Sequence, residues 1–197
     1  MSFQFAHMEL YSIGGKDVSK TVRYVISEAK REAGNCPHVF HSLPPVKVYG
    51  MELDVLEALH DNKVKNAKTT NAKGKTRAIR KDQKTLCTIV LSHPGADGGS
   101  GIASVQEWQE KSLQWLHKVY GDNLKTVVRH DDESHPHLHC YILPDDDVMR
   151  ASRLYPGLTA RYAFDNATAR KDPEARKTAK DRKGVVSGKR FDSGGRR

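Results

Sequence analysis

Three histidines stand close together late in the sequence, in the string His130-Asp131-Asp132-Glu133-Ser134-His135-Pro136-His137-Leu138-His139. Neutral imidazole nitrogens suit divalent transition metals such as Mn, Co, Ni or Zn, and three of them around one ion leave coordination positions open for phosphate oxygens. Whether they can converge depends on the backbone that carries them. Leu124 to His130 reads as one strand and His137 to Leu143 as another, and the short polar connection 131–136 suits a hairpin. Side chains alternate across a strand, so His137 and His139 share one face while Leu138, Cys140 and Ile142 take the other. Antiparallel pairing brings His130 to the same end of the hairpin. Asp132 and Glu133 lie in the connection, where a carboxylate can orient a histidine, occupy a further coordination site or accept a proton. His135 is a spare imidazole.

A hairpin this short needs a sheet to join and helices to cover it. Phe3 to Ile13 reads as a first strand that Gly14-Gly15 ends. From Asp17 to Ala33, Val18, Val22, Val25, Ile26 and Ala29 recur at helical spacing, with Gly34 as the cap. Cys36 to Tyr49 is broken by Pro37, Pro44 and Pro45, and a short helix follows from Met51 to His60. Residues 62–84 have neither period and read as an exposed loop. Leu86 to Ser92 reads as a buried strand, followed by a glycine-rich loop. Ser104-Val105-Gln106-Glu107 makes a capping box for a helix whose apolar stripe is Val105, Trp108, Trp115, Leu116 and Val119, ending at Gly121.

Composition narrows the class. The 197 residues suit a single domain, and no run approaches the roughly 18 apolar residues of a membrane span. The first residues lack the pattern of a secretory signal, and Cys36, Cys87 and Cys140 read as ordinary buried thiols, so a cytoplasmic protein without membrane insertion is expected. The net charge of +9 is unevenly spread. Residues 1–149 hold 19 Lys+Arg against 19 Asp+Glu, and residues 150–197 hold 14 against 5. A second basic stretch, Lys63 to Lys84, has nine Lys or Arg and one acid, Asp82. Two such segments suit a polyanion, because neutralising phosphates releases condensed counterions.

The His130–His139 string closely resembles the third motif of Mob/Pre-type plasmid mobilisation relaxases, within the wider HUH endonuclease class. The preceding helix with two tryptophans, Tyr120-Gly121-Asp122-Asn123 and the strand at Val127-Val128 resemble the family's approach to that motif, and Leu154-Tyr155-Pro156-Gly157 is similar to the family's segment on its C-terminal side. The resemblance covers residues 85–160 well, 1–50 loosely and the basic tail not at all. It implies an α+β fold with a central antiparallel sheet, helices packed on one face and a basic C-terminal tail. The relaxase-like domain would occupy 1–160 with its basic loop at about 62–84, and the low apolar content of the remainder makes 161–197 a basic tail, extended or disordered alone, or helical.

The same resemblance implies a divalent metal, manganese first and Mg, Co, Ni or Zn as alternatives, held by His130, His137 and His139, with Glu133 and Asp132 as associated acids. It implies strand-specific nicking of plasmid transfer-origin DNA by transesterification, leaving a 5′-phosphoprotein adduct and a free 3′ hydroxyl. Some family members use a histidine near the start of the first helix, where this sequence reads Lys16-Asp17-Val18-Ser19-Lys20. Relaxases of the broad-host-range mobilisation type are instead similar over a Gly-Gly, Ser and first-helix Tyr pattern, matched by Gly14-Gly15, Ser19 and Tyr24. That likeness makes Tyr24 the nucleophile, and the helical wheel puts Tyr24 roughly opposite the apolar stripe. His7, Tyr11, His38 and His41 are the alternatives. Lys63, Lys65, Lys68, Lys73, Lys75, Arg77, Arg80 and Lys81 are the expected DNA-backbone contacts, with single-stranded or hairpin DNA as partner and mobilisation or coupling proteins as further partners. A rolling-circle replication initiator or transposase would share the metal triad, and a non-catalytic DNA-binding protein would share the scaffold. A hydrolase of small phosphoesters would leave the basic segments idle.

Overall fold

The computed structural model describes residues 6–37, 39–94 and 104–157. In chain order its elements are β1 (Ala6–Ser12), α1 (Val22–Ala29), β2 (Val46–Gly50), α2 (Leu53–Asn66), β3 (Lys68–Thr70), β4 (Thr76–Ala78), β5 (Lys84–Ser92), α3 (Val105–Tyr120), β6 (Leu124–His130) and β7 (His137–Ile142). Five strands form one sheet in the order β1-β5-β7-β6-β2, and every neighbouring pair is antiparallel. The strands β3 and β4 pair with each other as a separate two-stranded ribbon.

Alternation along the strands divides the apolar residues between two cores. On one side Tyr11, Leu86, Val128 and Tyr141 pack with Val22, Val25, Ile26 and Ala29 of α1 and Leu53 and Leu56 of α2. On the other Cys87, Ile89, Leu91, Val127, Leu138, Cys140 and Ile142 pack with Trp108, Leu116 and Tyr120 of α3. The α+β class and the central antiparallel sheet are as expected, whereas the helices lie on both faces rather than one. The cause is in β5 and β7, which are buried almost throughout and so need cover on either side.

Local structure departs from the sequence expectation in four places. The first helix is a single 3-10 turn at Val18–Lys20 followed by α1, with Thr21 capping Tyr24 N, so Val18 is exposed and outside the stripe. The broken stretch is not a continuous helix, as expected, but it contains an edge strand, β2, that Pro44 and Pro45 precede. Residues 62–84 are no featureless loop: they hold the end of α2, the β3–β4 ribbon and the start of β5. Trp115 and Val119 are each 45% exposed, because α3 buries Trp108, Ser112, Leu116 and Tyr120 at intervals of four. The Ser104 cap and the turn at Gly121 are where the sequence put them. Of the cysteines, Cys87 and Cys140 are buried and Cys36 is half-buried. No helix among the described residues is long and apolar enough to cross a membrane. The expected tail at 161–197, His38 and most of the glycine-rich loop lie outside the described residues.

One glycine is required by its surroundings. Gly50 ends β2 at φ +77°, and a Cβ there would lie 1.9 Å from the Lys125 carbonyl oxygen. That carbonyl accepts from Met51 N at 3.2 Å. Gly50→Ala is therefore expected to destabilise the protein by at least about 2 kcal/mol, through the positive φ and the clash together. Urea denaturation checks this, and an unchanged midpoint would contradict it.

Candidate metal centre

The register of the hairpin settles the convergence of the histidines. His130 and His137 face each other across β6 and β7, and His139 is paired with Val128 one step further along the same face. Ring centroids are 5.3 Å apart for His130–His137, 4.7 Å for His130–His139 and 5.0 Å for His137–His139. One ring nitrogen from each lies within 4.8 Å of the others. Hydrogen bonds to main-chain carbonyls select the tautomers: His130 Nε2 donates to Ala29 O at 2.9 Å, and His137 Nδ1 donates to His135 O at 3.1 Å. The lone pairs are thereby left on His130 Nδ1 and His137 Nε2.

His130 Nδ1 is buried and without a hydrogen-bond partner in the structure. A buried acceptor left in that state costs about 1–3 kcal/mol, so its position is explained if a cation completes it. Burial pulls His130 down to about 4 and His139 well below the usual histidine range, in each case reinforced by neighbouring positive charge. Both rings are therefore neutral at pH 7, the state that binds metal. A pocket of about 280 Å³ opens above them, lined by Glu28, Val90, Ser92, Glu133, Ser134, His135, His137 and His139. Three converging imidazoles beside a carboxylate fit a divalent transition metal.

A family model described as "plasmid recombination enzyme" (Mob_Pre) matches residues 56–184. The chain belongs to the Mob_Pre family. A plasmid recombination enzyme of Lactiplantibacillus plantarum is 26% identical over 165 residues, covering 79% of this chain and 42% of that protein. The chain thus spans less than half the length of that relative. Two similar solved structures are Mn-bound crystal structures of the MobM relaxase domain (MOBV; Mob_Pre) with plasmid pMV158 oriT DNA. One, at pH 5.5, has 17% identity and a TM-score of 0.58, covering 100% of this chain and 95% of that one. The other, at pH 6.8 with a 3′-thiophosphate, has 16% identity and a TM-score of 0.56, covering 100% and 94%. The likeness to these structures is one of fold.

In this Mob_Pre chain the hairpin connection is held from both sides. Arg31 reaches Asp132 with two hydrogen bonds, Nη2 to Oδ1 at 2.6 Å and Nε to Oδ2 at 2.9 Å, and Glu133 Oε1 at 2.9 Å. The Arg31 and Asp132 side chains are 3% and 1% exposed. Asp132 Oδ2 also accepts from Leu43 N at 3.2 Å. Burial alone would raise the Asp132 carboxyl, but the guanidinium and the Leu43 N–H overcome it and hold it below the usual carboxylate range. Asp132 is therefore placed to position the hairpin rather than to exchange protons at the pocket. Glu133 lines the pocket, with Oε1 3.6 Å from His137 Nε2. On the opposite side Arg129 binds Asp131 through two nitrogens and Gln109 of α3 at 2.7 Å.

Two residues at this site escaped the sequence reading, Glu28 and Arg31. Glu28 lies one turn after Tyr24 on α1, and that spacing was the available signal for it, whereas Arg31 lies beyond the helix in a left-handed conformation. Glu28 lines the pocket, whereas Tyr24, one turn earlier on α1 and half-buried, is not among the residues that line either pocket. Of the alternatives, His7 faces Val90, which in turn faces His139, so it lies in the same cross-strand row. Tyr11 is buried, and burial with Glu9 and Glu28 raises its hydroxyl above the ordinary tyrosine value, against a nucleophile. His41 lines a neighbouring pocket.

The basic residues are distributed over the end of α2 and the ribbon. Lys65, Lys68, Lys73, Lys75, Arg77 and Lys81 are exposed. Lys63 is engaged by Asp145 at 3.2 Å and Arg80 by Asp82 at 2.6 Å, leaving less charge for a ligand.

Arg31 adopts φ +60°, so Arg31→Gly removes the guanidinium without straining the backbone. The variant leaves the Asp132 carboxylate buried and unpaired, a loss of about 3 kcal/mol at pH 7. In the wild type the depressed Asp132 pKa contributes stability above pH 3.8, lost as pH falls further. In the variant Asp132 takes up a proton readily, so the difference between the proteins should shrink from pH 7 to pH 4. Urea melts at the two pH values check this, and a pH-independent difference would exclude the buried-charge account.

Proposed function

We propose that this chain is a metal-dependent DNA-nicking relaxase that cleaves one strand of plasmid transfer-origin DNA by transesterification. The observation that carries the proposal is the convergence of three imidazoles on one sheet face, one of them presenting a buried nitrogen without a protein partner. Family membership and the Mn and oriT DNA of the similar solved structures support the same reading. Transfer-origin DNA in single-stranded or hairpin form is the proposed substrate, and the cytoplasm the proposed compartment.

His130, His137 and His139 would hold the ion, with manganese the first choice. Bound there, it supplies Lewis-acid stabilisation of charge on a phosphate oxygen. The chain's own residues do the rest. His130 is fixed by Ala29 O and His137 by His135 O, so neither ring has to reorient on binding. Tyr24 is the proposed nucleophile: its Oη–P bond forms as the P–O3′ bond breaks, the phenol proton leaves to a pocket carboxylate, Glu28 or Glu133, and the 3′ oxygen takes up a proton. Arg31 holds Glu133 at the pocket edge throughout. The exposed lysines and Arg77 of the ribbon would grip the backbone without reading bases.

Supercoiled plasmid carrying the cognate transfer origin, incubated with protein and Mn²⁺, is expected to give a nicked circle with protein joined to its 5′ end. Tyr24→Phe should abolish the adduct while keeping Mn²⁺ binding, and His139→Ala should weaken Mn²⁺ binding by more than about a hundredfold. An adduct that persists in Tyr24→Phe moves the nucleophile elsewhere, with His7 the first alternative. Absence of nicking by wild type with any divalent metal, despite binding, would sink the enzymatic reading.

Charge supplies a separate prediction. Replacing Lys73, Lys75 and Arg77 together by Ala should make the plot of log affinity against log salt shallower by about 2 for single-stranded DNA. Fluorescence anisotropy across a salt series measures it.

A further inference from the structure

A second pocket, about 330 Å³, adjoins the metal pocket and is lined by Phe40, His41, Asp132, Glu133 and Ser134. The two share Glu133 and Ser134, so one wall separates the histidines from Phe40. Phe40 is 96% exposed, more than any other large apolar residue among those described. A single exposed apolar side chain is commonplace. Phe40 differs in how it is held. Its loop is tied to α1 where Cys36 Sγ donates to Glu28 O at 3.2 Å, is turned by Val39 N donating to Cys36 O at 3.1 Å, and is tied to the hairpin where Leu43 N donates to Asp132. The segment that presents the bare ring is thus anchored to the two elements that build the metal centre.

We infer that Phe40, with His41 beside it, is a stacking platform for one unpaired nucleobase flanking the phosphate held at the metal centre. This rests on the relaxase reading above. Every base offers a π-face to an aromatic ring whatever its sequence, and a polar wall formed by Ser134 and Glu133 can accept hydrogen bonds from exocyclic amino groups. A protein partner is disfavoured by size. Phe40 and the nearby exposed Leu43 and Val46 cannot cover the roughly 800 Å² per partner that a stable interface buries. A base in a duplex has both faces stacked, so the platform selects single-stranded DNA.

The test compares wild type, Phe40→Ala and Phe40→Trp with a fluorescein-labelled oligothymidylate and with a duplex of the same length, in Mn²⁺. Phe40→Ala should bind the oligothymidylate roughly ten- to a hundredfold more weakly, with duplex affinity and Mn²⁺ binding unchanged. Phe40→Trp should restore the affinity, and its added indole fluorescence should be quenched by the oligothymidylate. Unchanged single-strand affinity in Phe40→Ala overturns the inference, as does a loss equal for duplex and single strand, or one that Trp does not rescue. A concentration-dependent wild-type dimer that Phe40→Ala abolishes also overturns it, by assigning the ring to a second copy. The wild-type adduct assay decides the relaxase reading separately: no adduct with a selective Phe40 effect would leave a single-strand site without that chemistry, and an adduct without the effect would remove the platform alone.

Discussion

The Arg31 guanidinium joins the end of α1 to the hairpin connection, and the placement of the three clustered histidines depends on that join. Its bidentate contact with Asp132 is almost fully buried. Desolvating two charges costs about as much as their attraction returns, so such a pair adds little net stability over an apolar one. What it adds is uniqueness of arrangement, since any other register of helix against hairpin leaves a charge buried without its partner. The backbone bears a cost as well. Arg31 occupies the left-handed position that closes a Schellman motif, with Glu32 N donating to Ser27 O at 3.1 Å and Arg31 N to Glu28 O at 3.0 Å. Glycine is the residue such a position favours, and an arginine there costs roughly 1 kcal/mol. The side chain justifies the conformation.

The acids of the connection would oppose binding of a phosphodiester if their charge were open to it. Arginine answers each of the first two from a different face of the sheet: Arg129, held by Gln109 of α3, takes Asp131, and Arg31, in the turn that follows α1, takes Asp132. Helices on both faces are thus more than cover for the apolar strands. Each contributes one support for the loop between the ligand-bearing strands. Glu133 is held by Arg31 yet lines the pocket, which leaves a carboxylate within reach of His137 and of any cation beside it.

The convergence of the histidines was legible in the sequence because it depends on short-range rules. A polar connection of six residues and a period of two are enough to bring His130 opposite His137, as the register shows. The capped helix at Ser104 was legible for the same reason. What was hidden depended on distant partners. Arg31 and Asp132 are 101 residues apart, and nothing local to either announces the other. The ribbon between 68 and 78 has no apolar residue larger than alanine and so lacks a visible period, and its pairing rests on a turn in which Asn71 Oδ1 accepts from Lys73 N and Lys75 N. The missed β2 draws its partners from β6, far along the chain.

The early end of α1 shows how closely helix and metal centre are coupled. A helix leaves its last four carbonyls without internal partners. Here Ile26 O accepts from Lys30 N, Ser27 O from Glu32 N, Glu28 O from Arg31 N and Ala29 O from His130 Nε2. The last of these is the hydrogen bond that sets the His130 tautomer and turns its Nδ1 lone pair toward the other two histidines. Had the helix run to Ala33, as its periodicity predicted, Ala33 N would have claimed the Ala29 carbonyl and His130 would have lost its acceptor. The same continuation would have carried Arg31 into helical geometry, away from the left-handed turn that directs it to Asp132. Termination at Ala29 is therefore a requirement of the histidine cluster, imposed on a segment whose own propensity favours a longer helix.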